Sequence, residues 1–496
     1  MSKSLLNLKR QNLLVKLVSL FKNNFFFVLI LLLAIFLRAF KLNELTTFGG
    51  DQGQDFLVVK DMILYHKWTL LGIKTSVYSF FQGPVYLYML FPFFLLFNLQ
   101  SISGAIAAVF YSIVTLIFLY ILCNKYFSKR VAIISSLLFT VSGELIIYGN
   151  TPLYQHFLPL FIVLAIYLFL VKKKNIFVNL LLGLSLGLGI ELHLLNISLL
   201  IAVFFYLIFV EKSKFKNILS YIGGIILGLA PTIVFELRHN FLNTRFILNY
   251  QPKEEFELKI FNFINQWLKG SAIFYGASLI IFGVIILVFV FYFLFYKTKS
   301  ENIAKLQKLS LILIPISVLL SVGFSAYEPH YILPFWVILL IIIPVAIDNV
   351  FNKRIGNIII SVLVITNLIF SVSRLKNNHG YSMSEGWTLK KIDYVGKLIS
   401  KDSLNYPNFN VASLLDSVTR AFPIRYAVII NGSIPEPAEN YPSNNYLYLV
   451  TNYSQEKIFE VTTWEVTSFY PFKIGETWDL KDGFYLYRLD RILSSK

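Results

Sequence analysis

Long apolar runs alternate with short, lysine-bearing polar stretches through the first three quarters of this chain. The runs 25–36, 105–122, 198–210, 279–295 and 331–345 approach or exceed the length that crosses about 30 Å of hydrocarbon as a helix. Short basic segments stay on the cytoplasmic side of a membrane, so they thread the pattern. With the N-terminus inside, helix 1 (about 24–41) exits, helix 2 (about 102–123) returns to Lys125, Lys129 and Arg130, and helix 3 (131–148) exits again. The alternation continues through inner turns at Lys172–Lys174, Lys212–Lys216, Lys297–Lys308 and Lys353–Arg354, which predicts about eleven transmembrane helices. Residues 84–97 are apolar but short for a span, and predict a juxtamembrane or re-entrant segment within a first outer loop, 42–101. Letting them span would turn every later lysine cluster outward.

From residue 375 the pattern changes to turn-rich polar sequence around short β-like runs at 410–415, 426–430, 446–450 and 484–489, with a helix expected over 388–399. The expected fold class is an all-α polytopic membrane domain, 24–374, behind a cytoplasmic basic N-terminus, 1–23, and followed by a small extracytoplasmic α/β domain, 375–496. Sidedness follows from the charges, and the implied location is the plasma (inner) membrane.

Composition supports a lipid solvent: 56% of residues are hydrophobic and only 14% charged, against about a quarter charged in soluble domains. The net charge of +17 resides in the inner turns, which is topology rather than a nucleic-acid groove, so no nucleic-acid partner is expected. Cys123 is the sole cysteine, so no intrachain disulfide can staple the outer domain. Lys3, Lys9, Arg10, Lys16 and Lys22 precede the first apolar run with no small-residue cleavage site after it, as in an uncleaved signal anchor.

Threading places most candidate chemistry on one face: Asp51, Gln52, Asp55, Gln82, Asn150, Gln155, His156, Glu191, His193, Glu236, Arg238, His239, Arg245, Glu328 and His330. Ionisable groups at helix ends near lipid are costly and tend to mark a site. Asp51 and Asp55 fall four apart, on one side of a helix if Asp51 opens it, where a carboxylate can serve as general base; a plain N-cap role for Asp51 fits equally. Arg238 and His239, with Arg245 close behind, offer the positive, multidentate donors that a phosphate needs, although Arg238 paired with Glu236 at a helix end is an equal reading. His193 fits a neutral structural imidazole. No metal-ligand spacing is present. Glu144 is the one acid placed deep in a span, as an intramembrane transport path would require.

With these segments in order, the chain resembles the GT-C type membrane glycosyltransferases, in the protein-mannosyltransferase-like branch that includes the bacterial aminoarabinose transferase. The resemblance covers about residues 20–375. It rests on the basic N-terminus and single helix, on Asp51-Gln52 where the family opens its first loop with an acidic pair, on Gly83-Pro84-Val85-Tyr86-Leu87-Tyr88, on the loop from Gly149 through Tyr154 to Phe157, and on His330-Tyr331-Ile332-Leu333-Pro334. It implies a sugar donor carried on a polyprenyl phosphate, Asp51 as the catalytic residue, and a substrate pocket containing Gln52, Asp55, Gln82, Tyr86, Tyr154, Gln155 and His193. Two departures matter. Gln155 stands where some members have a metal-associated acid, which implies chemistry without a metal, and Gly83 replaces a lysine of the aminoarabinose branch. Donor-phosphate binding therefore falls to Arg238, His239, His330 and Arg245. The expected reaction is an inverting transfer to a protein, lipid or glycan acceptor outside the membrane. A polytopic lipid or glycan transporter is the rival reading, for which the two halves of the chain lack the expected mirror symmetry.

Overall fold

The computed structural model describes residues 24–492 apart from 76–79, 173, 250–255, 271–279, 324–328 and 417. The basic N-terminus and Glu328 lie outside the described residues.

The chain begins with α1 (Phe25–Ala39). The first loop carries α2 (Gly50–Leu64) and α3 (Val85–Leu96). Then come α4 (Ser103–Tyr126), α5 (Lys129–Val141), α6 (Gly143–Tyr148), α7 (Tyr154–Phe169), α8 (Ile176–Leu192) and α9 (Ile197–Phe205), the last prolonged by a π turn, Tyr206–Val210. Helices α10 (Phe215–Gly228) and α11 (Ala230–Arg238) follow, bent 70° to each other, and then α12 (Leu242–Leu248). The helical part ends with α13 (Phe256–Gly270), α14 (Ile280–Leu294), α15 (Glu301–Gly323), α16 (Leu333–Val350) and α17 (Lys353–Leu375). Among the described residues four helices are long and apolar enough to cross a membrane: α4, α15, α16 with its leading turn, and α17; the bent α10–α11 pair makes a fifth. The other apolar helices of the bundle are shorter. At 12 residues, α3 is about 18 Å long, short of the hydrocarbon thickness of about 30 Å.

Polar caps start several helices: Ser128, Asn175 and Asn352 accept the amides of Val131, Val178 and Ile355 at 2.9–3.1 Å. Helix α16 is buried from Leu333 to Ile347, which is why its sequence is apolar on every side. Helices α8 and α10 approach closely through Gly183, Gly187, Gly224 and Gly228.

The lysine-rich turns converge at one end of the bundle. Lys125 donates to the Tyr167 hydroxyl (2.7 Å), Lys174 pairs with Glu211 (2.6 Å) and Arg130 with Asp348 (2.7 Å). The opposite end gathers the other turns: Thr46 donates to the Asn150 carbonyl (2.6 Å), and the His193 and His330 rings lie 5.4 Å apart. Between them, helix 3 of the sequence reading is broken at Ser142 into α5 and α6. The break is held by Arg38, a fully buried guanidinium that donates to the Ser112 hydroxyl (2.8 Å) and to the carbonyls of Phe139, Thr140 and Leu145 (3.0–3.3 Å). The Phe139 and Thr140 carbonyls are ones a helix end leaves unpaired, whereas that of Leu145 also accepts the Gly149 amide (3.0 Å). Glu144 lies just beyond the break, half-exposed and 3.7 Å from Arg374, rather than deep in the bundle.

The C-terminal unit has α18 (Leu389–Asp402), capped by Thr388, and α19 (Phe422–Ile430) beside a four-stranded sheet. Its strands are β1 (Phe409–Ser413), β2 (Tyr446–Thr451), β3 (Phe472–Asp479) and β4 (Tyr485–Arg491), ordered β1-β2-β4-β3, with only the β1–β2 pair parallel. Two corrections belong here. The run 426–430, expected as a strand, is the end of α19. Pro423 opens that helix, and burial from Pro423 to Val428 leaves no polar face to betray its period. Strand β3 went unpredicted because most of it is exposed and it contains Gly475.

Candidate functional site

Helix α2 begins at Gly50, and its N-cap is Gly49, whose amide donates to the Gln52 side chain (2.9 Å). Gln52 is thus occupied in capping the helix. Asp51, at the second helical position, is not the cap, and among the described residues it forms no side-chain hydrogen bond or ion pair. It is open to solvent on one side yet crowded by protein, and burial raises its carboxyl above the ordinary value. One turn on, Asp55 is buried, one of its oxygens has no partner, and burial together with the Asp51 charge raises its carboxyl well above the usual range.

Both carboxylates interact electrostatically with the phenols of Tyr86 and Tyr154. Tyr86, in the first turns of α3, packs edge-on against Phe157 (5.2 Å) with its hydroxyl unpartnered. Tyr154 opens α7, and its ring is 6.3 Å from that of His193. His193 in turn lies 5.4 Å from both His330 and Tyr331. Asp51, Asp55, Tyr86, Tyr154, His193 and His330, which are scattered over some 280 residues, therefore form one linked cluster at the end of the bundle opposite the lysine-rich turns. Gln155, beside Tyr154, is buried with an unpartnered side-chain oxygen.

The remaining candidates are held by other contacts. Arg238, His239 and Arg245 are exposed. His239 bonds the Phe235 carbonyl through Nδ1 (2.9 Å) and stacks on the Phe235 ring, while Arg245 donates to the His239 carbonyl (3.3 Å). The shift of Asp51 comes from burial and that of Asp55 from burial and Asp51, with no contribution from this basic group. Arg238 is not paired with Glu236, whose carboxylate instead accepts the Asn243 and Thr244 amides. Gln82 is buried and its backbone pairs with Gly72 and Ile73. Among the described residues no three His, Cys, Asp or Glu side chains cluster as a metal site would need.

Sequence reasoning overlooked Tyr331, although it adjoins His330, and the support beneath Asp51. Tyr426 of α19 packs on Phe48, Phe56 and Phe94 (5.5–6.3 Å) and donates to the Leu99 carbonyl (2.6 Å). Gly53, one helical step beyond Gln52, lets the backbone of Phe422 and Pro423 lie directly against α2. No short motif signals either contact.

Compared with solved structures, the chain is similar to ArnT from Cupriavidus metallidurans bound to undecaprenyl phosphate, with a TM-score of 0.62 at 11% identity over 95% of this chain and 99% of that one. The two share a fold over almost their whole lengths. The apo state of the same ArnT gives 0.61 at 11% identity over 95% and 98%. The apo oligosaccharyltransferase of Archaeoglobus fulgidus gives 0.52 at 13% identity, covering 87% of this chain and 69% of that one. Residues 82–235 match the family model described as dolichyl-phosphate-mannose-protein mannosyltransferase. That segment contains Gln82, Tyr86, Tyr154, Gln155 and His193, whereas Asp51, Arg238, His239, Arg245 and His330 lie outside it. No curated protein matches the chain.

Proposed function

We propose that this protein is an integral-membrane glycosyltransferase that moves a sugar from a polyprenyl-phosphate donor to an acceptor at the outer face of the plasma membrane. In this reading about eleven helices span, the N-terminus is cytoplasmic and the C-terminal unit lies outside. The carrying observation is Asp51: an unengaged carboxylate at a helix start, linked to Tyr86, Tyr154 and the His193–His330 pair, in a fold shared along almost its whole length with a protein solved bound to undecaprenyl phosphate.

Asp51 takes the proton of the acceptor hydroxyl. That oxygen bonds to the anomeric carbon from the face opposite the phosphate, the bond from that carbon to the phosphate oxygen breaks, and polyprenyl phosphate leaves, so configuration inverts. His330 and His193, near the carboxylates, donate to the leaving phosphate. Arg238, His239 and Arg245, which are exposed, serve as an outer cationic station for the anionic donor rather than as contacts at the reacting centre. The scheme assigns no step to a metal.

The test is transfer of radiolabelled sugar from a polyprenyl-phosphate donor by the purified protein in nanodiscs. Asp51→Asn is expected to lower the rate by about 10²–10⁴-fold. Transfer near the wild-type rate in that variant would remove Asp51 as the base.

A further inference from the structure

Beside the first outer loop, between α8 and α11, lies a cavity of about 120 Å³ whose polar lining includes Gln82, Glu191, Thr232, Glu236 and Asn243. Two of these are acids, and among the described lining residues there is no lysine, arginine or histidine. Glu236 is satisfied: it accepts the Asn243 and Thr244 amides at 3.0 Å and the Thr244 hydroxyl at 2.7 Å. Glu191 is not. It is 1% exposed, and the hydroxyl and amide of Thr232 face its carboxylate without closing a hydrogen bond to either oxygen. The carboxylate also occupies the space that any side chain at residue 83 would need, since a Cβ built on Gly83 would overlap it.

A buried carboxylate with no cation, and with only the loosely placed Thr232 donors before it, is unfavourable, so it calls for a positive partner or a proton. The cavity is the size of a small organic cation, and Phe80 and Phe81 add ring surface that suits one. With a single open carboxylate it offers too few oxygens for calcium, which takes six to eight. It also adjoins the cluster at Asp51: His193 is two residues beyond Glu191, and Tyr88 of α3 senses the Glu191 charge.

We propose that this cavity is a subsite for a primary ammonium group carried by one of the two substrates, with Glu191 as its counter-ion. The existence of the subsite stands on the cavity alone; that a substrate delivers the group rests on the transferase reading. The group belongs either to an amino sugar on the donor or to an amine-bearing acceptor.

The first measurement is thermal unfolding of the full-length protein in nanodiscs, titrated with ethylammonium chloride against ethanol at matched ionic strength. Ethylammonium is expected to raise the wild-type midpoint at millimolar concentration where ethanol does not. Glu191→Gln should lose that response and Glu191→Asp should keep part of it. Equal behaviour of the two ligands, or an unchanged response in Glu191→Gln, overturns the proposal in favour of a protonated Glu191.

The second measurement compares transfer of glucosamine and N-acetylglucosamine from the same polyprenyl phosphate. A preference of tenfold or more for the free amine, erased by Glu191→Gln, places the ammonium on the donor. No donor preference, together with a raised KM of Glu191→Gln for phosphatidylethanolamine as acceptor, places it there. If neither the donor preference nor the acceptor KM depends on Glu191, delivery by a substrate is overturned. A wild-type protein that transfers no sugar at all refutes the transferase reading, while the ethylammonium response still decides the cavity.

Discussion

At Asp51 two influences act on one proton. The start of α2 favours the charged carboxylate, and the surrounding protein disfavours it; burial wins, and the carboxyl is raised. A general base must be ionised, so transfer should fall as pH drops through a pKa higher than that of an ordinary aspartate, about 3.9. Asp55 is raised further, by burial and by the Asp51 charge. If Asp55 keeps its proton while Asp51 is ionised, Asp55→Asn exchanges one neutral group for another and leaves the acid limb of the kcat/KM profile in place. Removing a negative neighbour would instead move that limb to lower pH, so such a shift, read from the pH profile of the variant, would show that Asp55 is charged. The pairing of Asp51 with Asp55 was legible from their spacing of four. The exposure of Arg238 and His239 was not, because sequence shows that a basic pair ends a helix without showing which way the helix end faces.

Among the elements, α2 depends on its neighbour from the C-terminal unit. With the Phe422–Pro423 backbone against Gly53, a methyl group there meets main chain rather than a yielding side-chain tip. Gly53→Ala is expected to cost about 1–3 kcal/mol of stability through overpacking. It should also lower transfer by up to ~100-fold by tilting Asp51, two residues earlier on the same helix. Wild-type transfer and an unchanged melting midpoint would show that the contact is slack. The helices with polar caps and the short α3 could be read from the chain because lipid solvent imposes a simple rule on length and charge. Helix α19 could not, because an element buried on all sides has no alternation of polar and apolar residues to display its period.

The whole molecule is stitched across its two units. Besides Tyr426, the Ser101 hydroxyl donates to Asp393 (2.6 Å) and the Thr47 hydroxyl to the Tyr381 carbonyl (2.8 Å). The buried aromatic cluster of Phe48, Phe56, Phe94 and Tyr426 straddles the junction. Apolar burial of that kind couples unfolding, so calorimetry in nanodiscs should record one transition for the sheet-bearing unit and the first loop together. Two well-separated transitions, with tryptic release of an intact fragment from about residue 376 onward, would mean that the seam contributes little. The division into helical and sheet-bearing parts was visible in the change of pattern near residue 375; their interlocking depends on contacts more than 290 residues apart, which no local rule reports.

Arg38 bears on how the protein is made. Three of its acceptors, on Phe139, Thr140 and Leu145, lie 101 to 107 residues later in the chain. In the proposed topology, a ribosome that has delivered only α1 and α4 to the bilayer leaves this guanidinium with the Ser112 hydroxyl and the Ala34 carbonyl alone, in a medium where a cation is costly. On that topology the first helix is expected to settle fully only once α5 and α6 have arrived, so the order of synthesis and the order of settling differ from the outset.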